Sequence, residues 1–191
     1  MNDSQWARYE VFEQERASAP HRNAGSVHAS DAEMALGNAR DVFVRRPNCF
    51  SLWVVPEAAV FAKTAQEVAR DDWYTAPAAD APRETYLVFN KKGQPARETF
   101  VEYVGEVKAA APAHALRVAL ETFPTQDVFV WWVAPERRVL KSEQADAASM
   151  FAPARTKKYR MHTFYPVEPI MRELKSAQGM LDNSEKMTDN D

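Results

Sequence analysis

The chain has 191 residues, and 46% of them are hydrophobic, which is enough apolar material for a core in one domain or in two small ones. Its formal net charge of -3 lacks the basic excess that binding to nucleic acid or to an acidic membrane surface needs. No apolar run approaches the roughly 20 residues that cross a bilayer, and the first residues contain no apolar signal-peptide segment. We therefore expect a cytoplasmic, globular protein that binds neither nucleic acid nor membranes.

Two strands are predicted before the first helix. Residues 6–13 place Tyr9 and Val11 on one face and Phe12 on the other, which is the alternation of a half-buried strand. Residues 25–29 alternate in the same way. The polar loop between these segments is short enough for a hairpin, so the two strands are expected to pair antiparallel.

A helix and a third strand complete a β-β-α-β unit. Ser30 and Glu33 spell S-x-x-E, the capping box of a helix start, and apolar residues follow at helical spacing. This apolar stripe consists of Ala32, Ala35, Leu36, Ala39, Val42 and Phe43. Residues 50–56 then alternate as a strand. The single cysteine, Cys49, cannot form an internal disulfide and is predicted to be a small core residue.

The same unit recurs about 80 residues later along the chain. The motif G-x-V-x-A starts at Gly25 and again at Gly105, and the motif W-V-[VA]-P-E starts at Trp53 and again at Trp132. The helical motif A-L-x-x-A also occurs in both copies. Several matches in the same order indicate an internal duplication.

The predicted fold class is α+β, with two β-β-α-β repeats whose antiparallel sheets carry their helices on one face. Because the other face of each sheet has no helix to cover it, the repeats are expected to pack together as a pseudo-dimer. Trp53, Trp131 and Trp132 are expected to help hold this assembly. Residues 60–69 are predicted to form a short helix and residues 73–82 an extended surface linker. The predicted boundaries are 1–75 for the first repeat, 76–85 for the linker, 86–170 for the second, divergent repeat with its C-terminal extension, and 171–191 for a disordered tail.

Four motifs in the first copy and one near the C-terminus resemble those of a known family. They are Gly25-Ser-Val-His-Ala, Ala39-Arg-Asp, Arg45-Arg46, Leu52-Trp-Val-Val and Tyr159-Arg-x-His-Thr-Phe-Tyr165. With these motifs the chain resembles the phenylacetate-degradation protein B (PaaB) family, whose members are small subunits of the ring-1,2-phenylacetyl-CoA epoxidase. The resemblance covers residues 6–60 closely and returns at residues 151–166.

The resemblance implies a non-catalytic subunit of a monooxygenase complex in aerobic phenylacetate degradation. Such a protein bridges the di-iron catalytic and structural subunits and supports assembly with the reductase. Because family members usually carry one unit and dimerise, the duplicated chain is expected to be a monomer in isolation, its second copy standing in for the second subunit.

The residues agree with a role that involves no redox chemistry. No Glu is followed by a His three residues later, as the Glu-x-x-His pairs of a di-iron carboxylate site require. One cysteine is too few for an iron–sulfur cluster, and the five glycines never form the G-x-G-x-x-G loop that binds dinucleotides. We therefore expect no catalytic residue, no cofactor and no metal site.

The residues expected to contact partner subunits combine a polar rim with one adaptable thioether. They are His28, Met34, Asn38, Asp41, Arg45 and Arg46 in the first copy, and Tyr159, His162, Phe164 and Tyr165 in the C-terminal segment. Without the resemblance, an ordinary solvated helix face would be the preferred interpretation of the first group. The resemblance favours docking, because family residues are retained in these two places. His21 and His114 are likewise expected at surface or interface positions.

Two other function classes remain open from the residues alone. The first is a stand-alone module that binds an aromatic acyl-CoA or another small molecule, in which Arg45 and Arg46 would contact phosphates. A solvated helix end explains these arginines better, since their charge complements the helix dipole. The second class is a cofactor-free enzyme with a pocket between the repeats, which is disfavoured because no histidine has a nucleophile or an orienting carboxylate beside it.

Overall fold

A computed structural model describes residues 6–44, 49–70, 72–78, 80–93, 100–124, 126–156 and 171–175. The chain divides into two units, residues 1–155 and 156–191, and all the described strands lie in the first. In the second unit, residues 171–175 are helical and exposed, so the tail predicted to be disordered opens with a helical turn. The other predicted domain boundaries stay predictions.

Two copies of one series of elements build the first unit. The first copy contains β1 (Arg8–Gln14), β2 (Arg22–His28), α1 (Ala32–Phe43), β3 (Ser51–Pro56), β4 (Phe61–Thr64) and α2 (Ala65–Arg70). The second copy contains β5 (Glu84–Lys92), β6 (Glu102–Ala109), α3 (Pro112–Thr122), β7 (Val128–Pro135), β8 (Leu140–Lys141) and α4 (Ala147–Met150). The β-β-α-β order is confirmed in both copies, and each copy adds a short strand and a short helix.

The start of α1 differs from the predicted one by a residue. Its N-cap is Asp31 rather than Ser30, because the Asp31 carboxylate accepts a hydrogen bond of 2.8 Å from the backbone N–H of Met34. The Ser30 hydroxyl donates to the same carboxylate. The bond from the Met34 N–H, followed by the one from Ser30, lowers the pKa of Asp31.

The helix predicted over residues 60–69 is right only for its second half. The first half is strand β4, and α2 begins after Thr64. Thr64 and Glu67 form a capping box there: the Thr64 N–H donates to Glu67 Oε2 at 2.8 Å, and the Glu67 N–H donates to Thr64 Oγ1 at 3.3 Å. The chain can therefore change from strand to helix within one residue.

The eight strands form one antiparallel sheet in the order β4-β7-β5-β6-β2-β1-β3-β8. This order reads the same from both ends once each strand is replaced by its counterpart in the other copy, so the repeats are related by pseudo-two-fold symmetry. At each edge the outermost strand belongs to the other repeat, since β4 pairs with β7 and β8 pairs with β3. Each copy thus completes the sheet of the other, which the sequence did not reveal.

The two halves of the sheet meet where β2 lies beside β6. Arg22 is in register with Glu102, and their side chains form a salt bridge of 2.8 Å. The backbone N–H of Asn23 donates to the carbonyl of Val101 at 2.8 Å. The contact between β2 and β6 is therefore short, and the exchanged strands and side-chain packing supply the other contacts between the repeats.

Each helix covers one face of the strands in its own repeat. Ala35 and Ala39 of α1 are fully buried against the first repeat, and Ala115 and Ala119 of α3 are fully buried against the second. Alanine at these positions lets the helix backbone lie close to the sheet, as the spacing of the small residues predicted.

The short helices at the end of each copy, and the residues that follow them, also pack against the other repeat. Phe151 and Ala154, which follow α4 of the second repeat, are buried in the core beneath α1 of the first repeat. Val68 of α2 and Trp73, both from the first repeat, pack against the core beneath α3 of the second. The short strand and the short helix of each copy, β4 with α2 and β8 with α4, together form an arm that packs against the other repeat.

The face of the sheet opposite to the helices forms a third core, which both repeats share. Its buried apolar residues are Phe12, Val55, Leu87, Phe89, Val101 and Ala134. Phe12 of β1 stacks on Phe89 of β5 with ring centroids 4.2 Å apart, although β2 and β6 separate these strands in the sheet. The sheet therefore curves back on itself until its inner faces meet, and the predicted pseudo-dimer is confirmed.

Two of the three tryptophans predicted to hold the assembly lie in this inner core. Trp53 meets Tyr103 at a centroid distance of 5.2 Å, and Trp132 meets Phe12 at 6.4 Å, both edge to face. Trp131 is instead buried in the core beneath α3, because adjacent residues of a strand point to opposite faces of the sheet.

His21 is buried in the same inner core, so it faces neither solvent nor a partner protein. Its imidazole stacks on Trp53 with centroids 3.6 Å apart and meets Tyr103 of the second repeat edge to face. Burial, with the positive charge of Lys141 as a smaller cause, lowers the pKa of His21 to about 4. The ring is therefore neutral at neutral pH and acts as an aromatic contact between the repeats.

A glycine in each repeat lets its helix reach the sheet. Gly25 and Gly105 have φ angles of 134° and 154°, and a Cβ built on them would lie 2.9 Å from the Phe43 ring and 2.5 Å from the Phe123 ring. Both residues therefore meet a steric and a conformational demand for glycine. Gly37 in α1 has no atom within 4 Å of such a Cβ.

We predict that Gly105→Ala destabilises the protein by roughly 1–3 kcal/mol, because the new methyl group meets a ring and the φ angle is strained. Gly37→Ala is the matched control, and should stabilise the protein by roughly 0.5–1 kcal/mol, since glycine is a poor helix former. Urea unfolding followed by circular dichroism measures both. Equal effects of the two substitutions would contradict this account of Gly105.

A second prediction concerns acid stability. His21 has a pKa of about 4 in the folded chain and an ordinary value of 6.5, so the unfolded chain binds more protons between these values. The stabilisation is therefore complete above about pH 6.5 and is lost as the pH falls towards 4. Relative to His21→Phe, which keeps the stack without titrating, the wild type should lose up to about 3 kcal/mol of unfolding free energy over this range. Urea unfolding measures the free energy at each pH. If the unfolding free energies of the two proteins change equally with pH, the prediction is refuted.

The third prediction concerns oligomeric state. The inner face that a single repeat would need to cover is already covered by the other repeat, so the isolated chain should be a monomer. Light scattering coupled to gel filtration measures the mass in solution. A stable dimer that forms through the inner sheet face, or by exchange of the arms between two chains, would contradict this expectation.

Candidate interface for partner proteins

The outer flank of α1 presents four neighbouring side chains, which we call the α1 surface: Met34, Asn38, Asp41 and Val42. At 100° per residue these positions follow one another along one side of the helix. Met34 is 41% exposed and Val42 is 44% exposed, which is high for apolar side chains on a packed helix. The exposure of Val42 corrects its predicted place on the buried stripe. It stands between that stripe and Asn38 on the helical projection, so the pattern alone does not decide its burial.

Hydrogen bonds fix the position of this surface. The Asn38 side-chain amide donates to the backbone carbonyl of His28 at 3.1 Å, which ties α1 to the end of β2. The Ser30 hydroxyl lies 3.7 Å from the Met34 sulfur, and Arg40 Nε donates to the Asp41 carboxylate at 3.0 Å. The flank is therefore a preformed feature of the folded chain.

The His28 side chain is exposed but lies apart from the α1 surface, and its predicted contact with partners stays a prediction. Val27 and Ala29 on either side of it are buried beneath α1, and the alternation of the strand therefore places the imidazole on the opposite face of the sheet. There, His28 Nδ1 lies 2.9 Å from the carbonyl oxygen of Trp6. Trp6 is 57% exposed, and no sequence motif singled it out.

The remaining residues predicted to contact partners lie outside the described part of the chain. They are Arg45, Arg46, Tyr159, His162, Phe164 and Tyr165. Their roles stay predictions.

The helix of the second repeat presents a different flank. The Arg117 guanidinium, at the position that corresponds to Gly37, lies over the rings of Trp73 and Tyr74, 5.3 Å and 4.6 Å from their centroids, so the residues that follow α2 pack against α3. His114, the counterpart of Met34, accepts a hydrogen bond at Nδ1 from the backbone N–H of Ala110. Among the described residues, the large apolar side chains exposed on the two long helices are both on α1.

A polar pocket of about 370 Å³ lies between the repeats on the inner side of the sheet. We call it the inner pocket, and its principal lining residues are Arg8, Glu10, Asn23, Glu57, Ala62 and Trp132. Glu10 is only 5% exposed and is held by Arg8 Nη2 at 2.9 Å and by the Asn23 amide at 3.0 Å. Arg8 also lies 3.5 Å from Glu57, which is at the exposed rim.

A larger apolar cleft of about 550 Å³ lies between α2 and the C-terminal end of α3. Leu120, Phe123 and Trp131 supply its apolar wall, and Asp127 is the charged residue in its lining. None of the residues that line this cleft is basic. The cleft thus has the apolar surface that an aromatic acyl group would need, but no cation for the phosphates of CoA.

The described residues most suited to acid–base or nucleophilic chemistry are poorly placed for it. Burial, followed by the charge of Glu13, raises the pKa of the Cys49 thiol to about 12, so it is protonated at neutral pH. His21 is neutral and enclosed by aromatic rings. Within the described ranges, no group of three His, Cys, Asp or Glu side chains is arranged to hold a metal ion, and no helix is both long and apolar enough to cross a membrane.

Comparison with known families explains the repeat. The model of the PaaB family, described as phenylacetic acid degradation B, matches residues 5–86 and then matches residues 82–171. This chain belongs to the PaaB family. The two matches establish that it is a tandem duplication of the PaaB unit, as the sequence motifs predicted.

A curated relative supports the same assignment. It is one of the subunits of 1,2-phenylacetyl-CoA epoxidase from Escherichia coli (strain K12), and it is 42% identical to this PaaB-family chain over 67 residues. The aligned residues cover 35% of this chain and 70% of the relative, a length that one repeat can supply. No solved structure matches the chain.

Proposed function

We propose that this PaaB-family chain is a non-catalytic subunit of a phenylacetyl-CoA epoxidase-type di-iron monooxygenase complex in aerobic phenylacetate degradation. In this role it bridges the catalytic and structural subunits in the cytoplasm and supports assembly with the reductase. The single observation that carries the proposal is the similarity of one repeat to its relative in the E. coli epoxidase. A protein in this role needs a rigid body and a surface for partners, and does not need a reactive group.

The asymmetry of the two helices supports a docking role for the first repeat. Both repeats descend from one unit, yet α1 keeps Met34 and Val42 exposed, whereas the residues at the corresponding positions of α3 are the polar His114 and Thr122. Exposed apolar side chains bordered by polar ones are typical of a protein interface. We therefore assign the α1 surface to the contact with the catalytic subunits.

The alternative role, a stand-alone module that binds an aromatic acyl-CoA, finds less support. The apolar cleft beside α2 lacks a basic residue in its lining, and the inner pocket carries two carboxylates that would repel phosphates. Stabilisation of the isolated chain by an acyl-CoA in a thermal unfolding experiment would favour this alternative.

Affinity purification tests the proposed function as a whole. When the tagged chain is isolated from its own cells grown on phenylacetate, mass spectrometry should identify the catalytic and structural subunits of an epoxidase-type complex. Purification at high salt, which weakens charge-dependent contacts, is a control for non-specific association. Recovery of the chain alone under both conditions would contradict the proposal.

A fourth prediction tests the α1 surface. The double variant Met34→Asp with Val42→Asp should bind the purified catalytic subunits at least about tenfold more weakly, because it places charges in an apolar contact. The matched control is Thr122→Asp, at the position of α3 that corresponds to Val42. Both proteins should fold normally, since exposed positions contribute little to stability. Titration calorimetry measures affinity, circular dichroism checks the fold, and equal affinities would exclude this surface.

A further inference from the structure

The inner pocket has a counterpart in the other half of the molecule. Residues 53–63 and 132–142 match without a gap, so Trp53 corresponds to Trp132 and Glu57 to Glu136. Strand pairing gives the same correspondence: Lys141 of β8 lies opposite Trp53, and Ala62 of β4 lies opposite Trp132. The pseudo-two-fold symmetry thus relates two sites that share a tryptophan and a glutamate. They differ on the edge strand, where one has an alanine and the other a lysine, and on the neighbouring strands, where Arg8 and Glu10 of β1 correspond to Thr85 and Leu87 of β5.

In the counterpart site the chain supplies its own ammonium group. Lys141 Nζ lies 4.9 Å from the centroid of the Trp53 ring and 2.6 Å from Glu136 Oε1. The aromatic face and the carboxylate are the two groups that bind an ammonium ion best in a partly dry site. The counterpart site therefore shows that a tryptophan and a glutamate at these positions bind an ammonium group.

In the inner pocket the same pair has no lysine, because Ala62 replaces it. The Trp132 face and the Glu57 carboxylate remain, together with the buried Glu10. Among the described residues, no cation lies over the Trp132 ring. Arg8 neutralises one of the two carboxylates through its contacts of 2.9 Å and 3.5 Å, and one net negative charge is left. The volume of about 370 Å³ leaves room for a side chain.

We infer that the inner pocket receives a lysine side chain from a partner protein, with its ammonium group over Trp132 and beside Glu57. Glu57 and Arg8 stand at the exposed rim, so the side chain can enter from solvent and reach the place that Lys141 takes in the counterpart site. That the partner is a subunit of the epoxidase-type complex rests on the proposed function; the chemistry of the pocket does not. Duplication makes this arrangement possible, because a dimer of identical units would carry two identical pockets.

A small amine tests the chemistry of the pocket in the full-length chain. Titration with n-butylammonium, the side-chain analogue of lysine, should give a saturable shift of the Trp132 ring signals in nuclear magnetic resonance spectra. The neutral analogue 1-butanol should give none. Ala62→Lys, which places an internal ammonium as in the counterpart site, should abolish the shift, whereas Ala145→Lys at an exposed turn should not. Conversely, Lys141→Ala should create a second site that shifts the Trp53 signals.

Partner binding tests the identity of the ligand. Ala62→Lys should weaken binding of the purified catalytic and structural subunits by about tenfold, while Ala145→Lys leaves it unchanged. If the wild type binds these subunits and Ala62→Lys binds equally well, the pocket does not receive a partner's lysine, although the proposed function stands. If the wild type binds none of the subunits, the proposed function fails. The amine titration then decides the pocket, and a shift that is absent, or equal in wild type and Ala62→Lys, overturns the inference.

Discussion

The contact on which the structure depends is the packing of the two inner sheet faces, with Phe12 stacked on Phe89 at its centre. Each repeat has one long helix for the two faces of its strands, so one apolar face has no helix of its own repeat to cover it. The duplicated chain meets this need by placing the second copy against the first. The exchanged strands β4 and β8 then close both edges of the shared sheet and leave each core dependent on residues of the other repeat. A single repeat could not bury these surfaces by itself.

Because of this mutual dependence, the surfaces that stabilise the fold are different from those that could bind partners. The inner face and the arms hold the chain together, so the outer flanks of the helices are free to diverge. The α1 flank keeps the exposed apolar side chains of Met34 and Val42, whereas the corresponding positions of α3 carry His114 and Thr122. The same divergence reached the rim of the inner core, where Lys141 fills one site and Ala62 leaves the other open. The two halves of a tandem chain can therefore present different surfaces to partners, whereas two identical subunits must present the same surface twice.

The sequence predicted the features that depend on local patterns. Motif recurrence revealed the duplication, and the alternation of Tyr9, Val11 and Phe12 assigned each side chain to the correct face of β1. It did not predict the exchanged strands, because β8 has two residues and β4 has four, too few for a period to be recognised. The burial of His21 was hidden because its stacking partner, Trp53, is distant in sequence.

If the two repeats form one cooperative unit, hydrogen exchange of the full chain under increasing denaturant will show it. We expect the amides of β1 and β5 to open with the same free energy. We also expect Leu116→Ala, a cavity in the core beneath α3, to lower the opening free energy of β1 in the first repeat as much as that of β5. Loss of protection confined to β5, with β1 unchanged, would show that the repeats fold independently and would contradict this expectation.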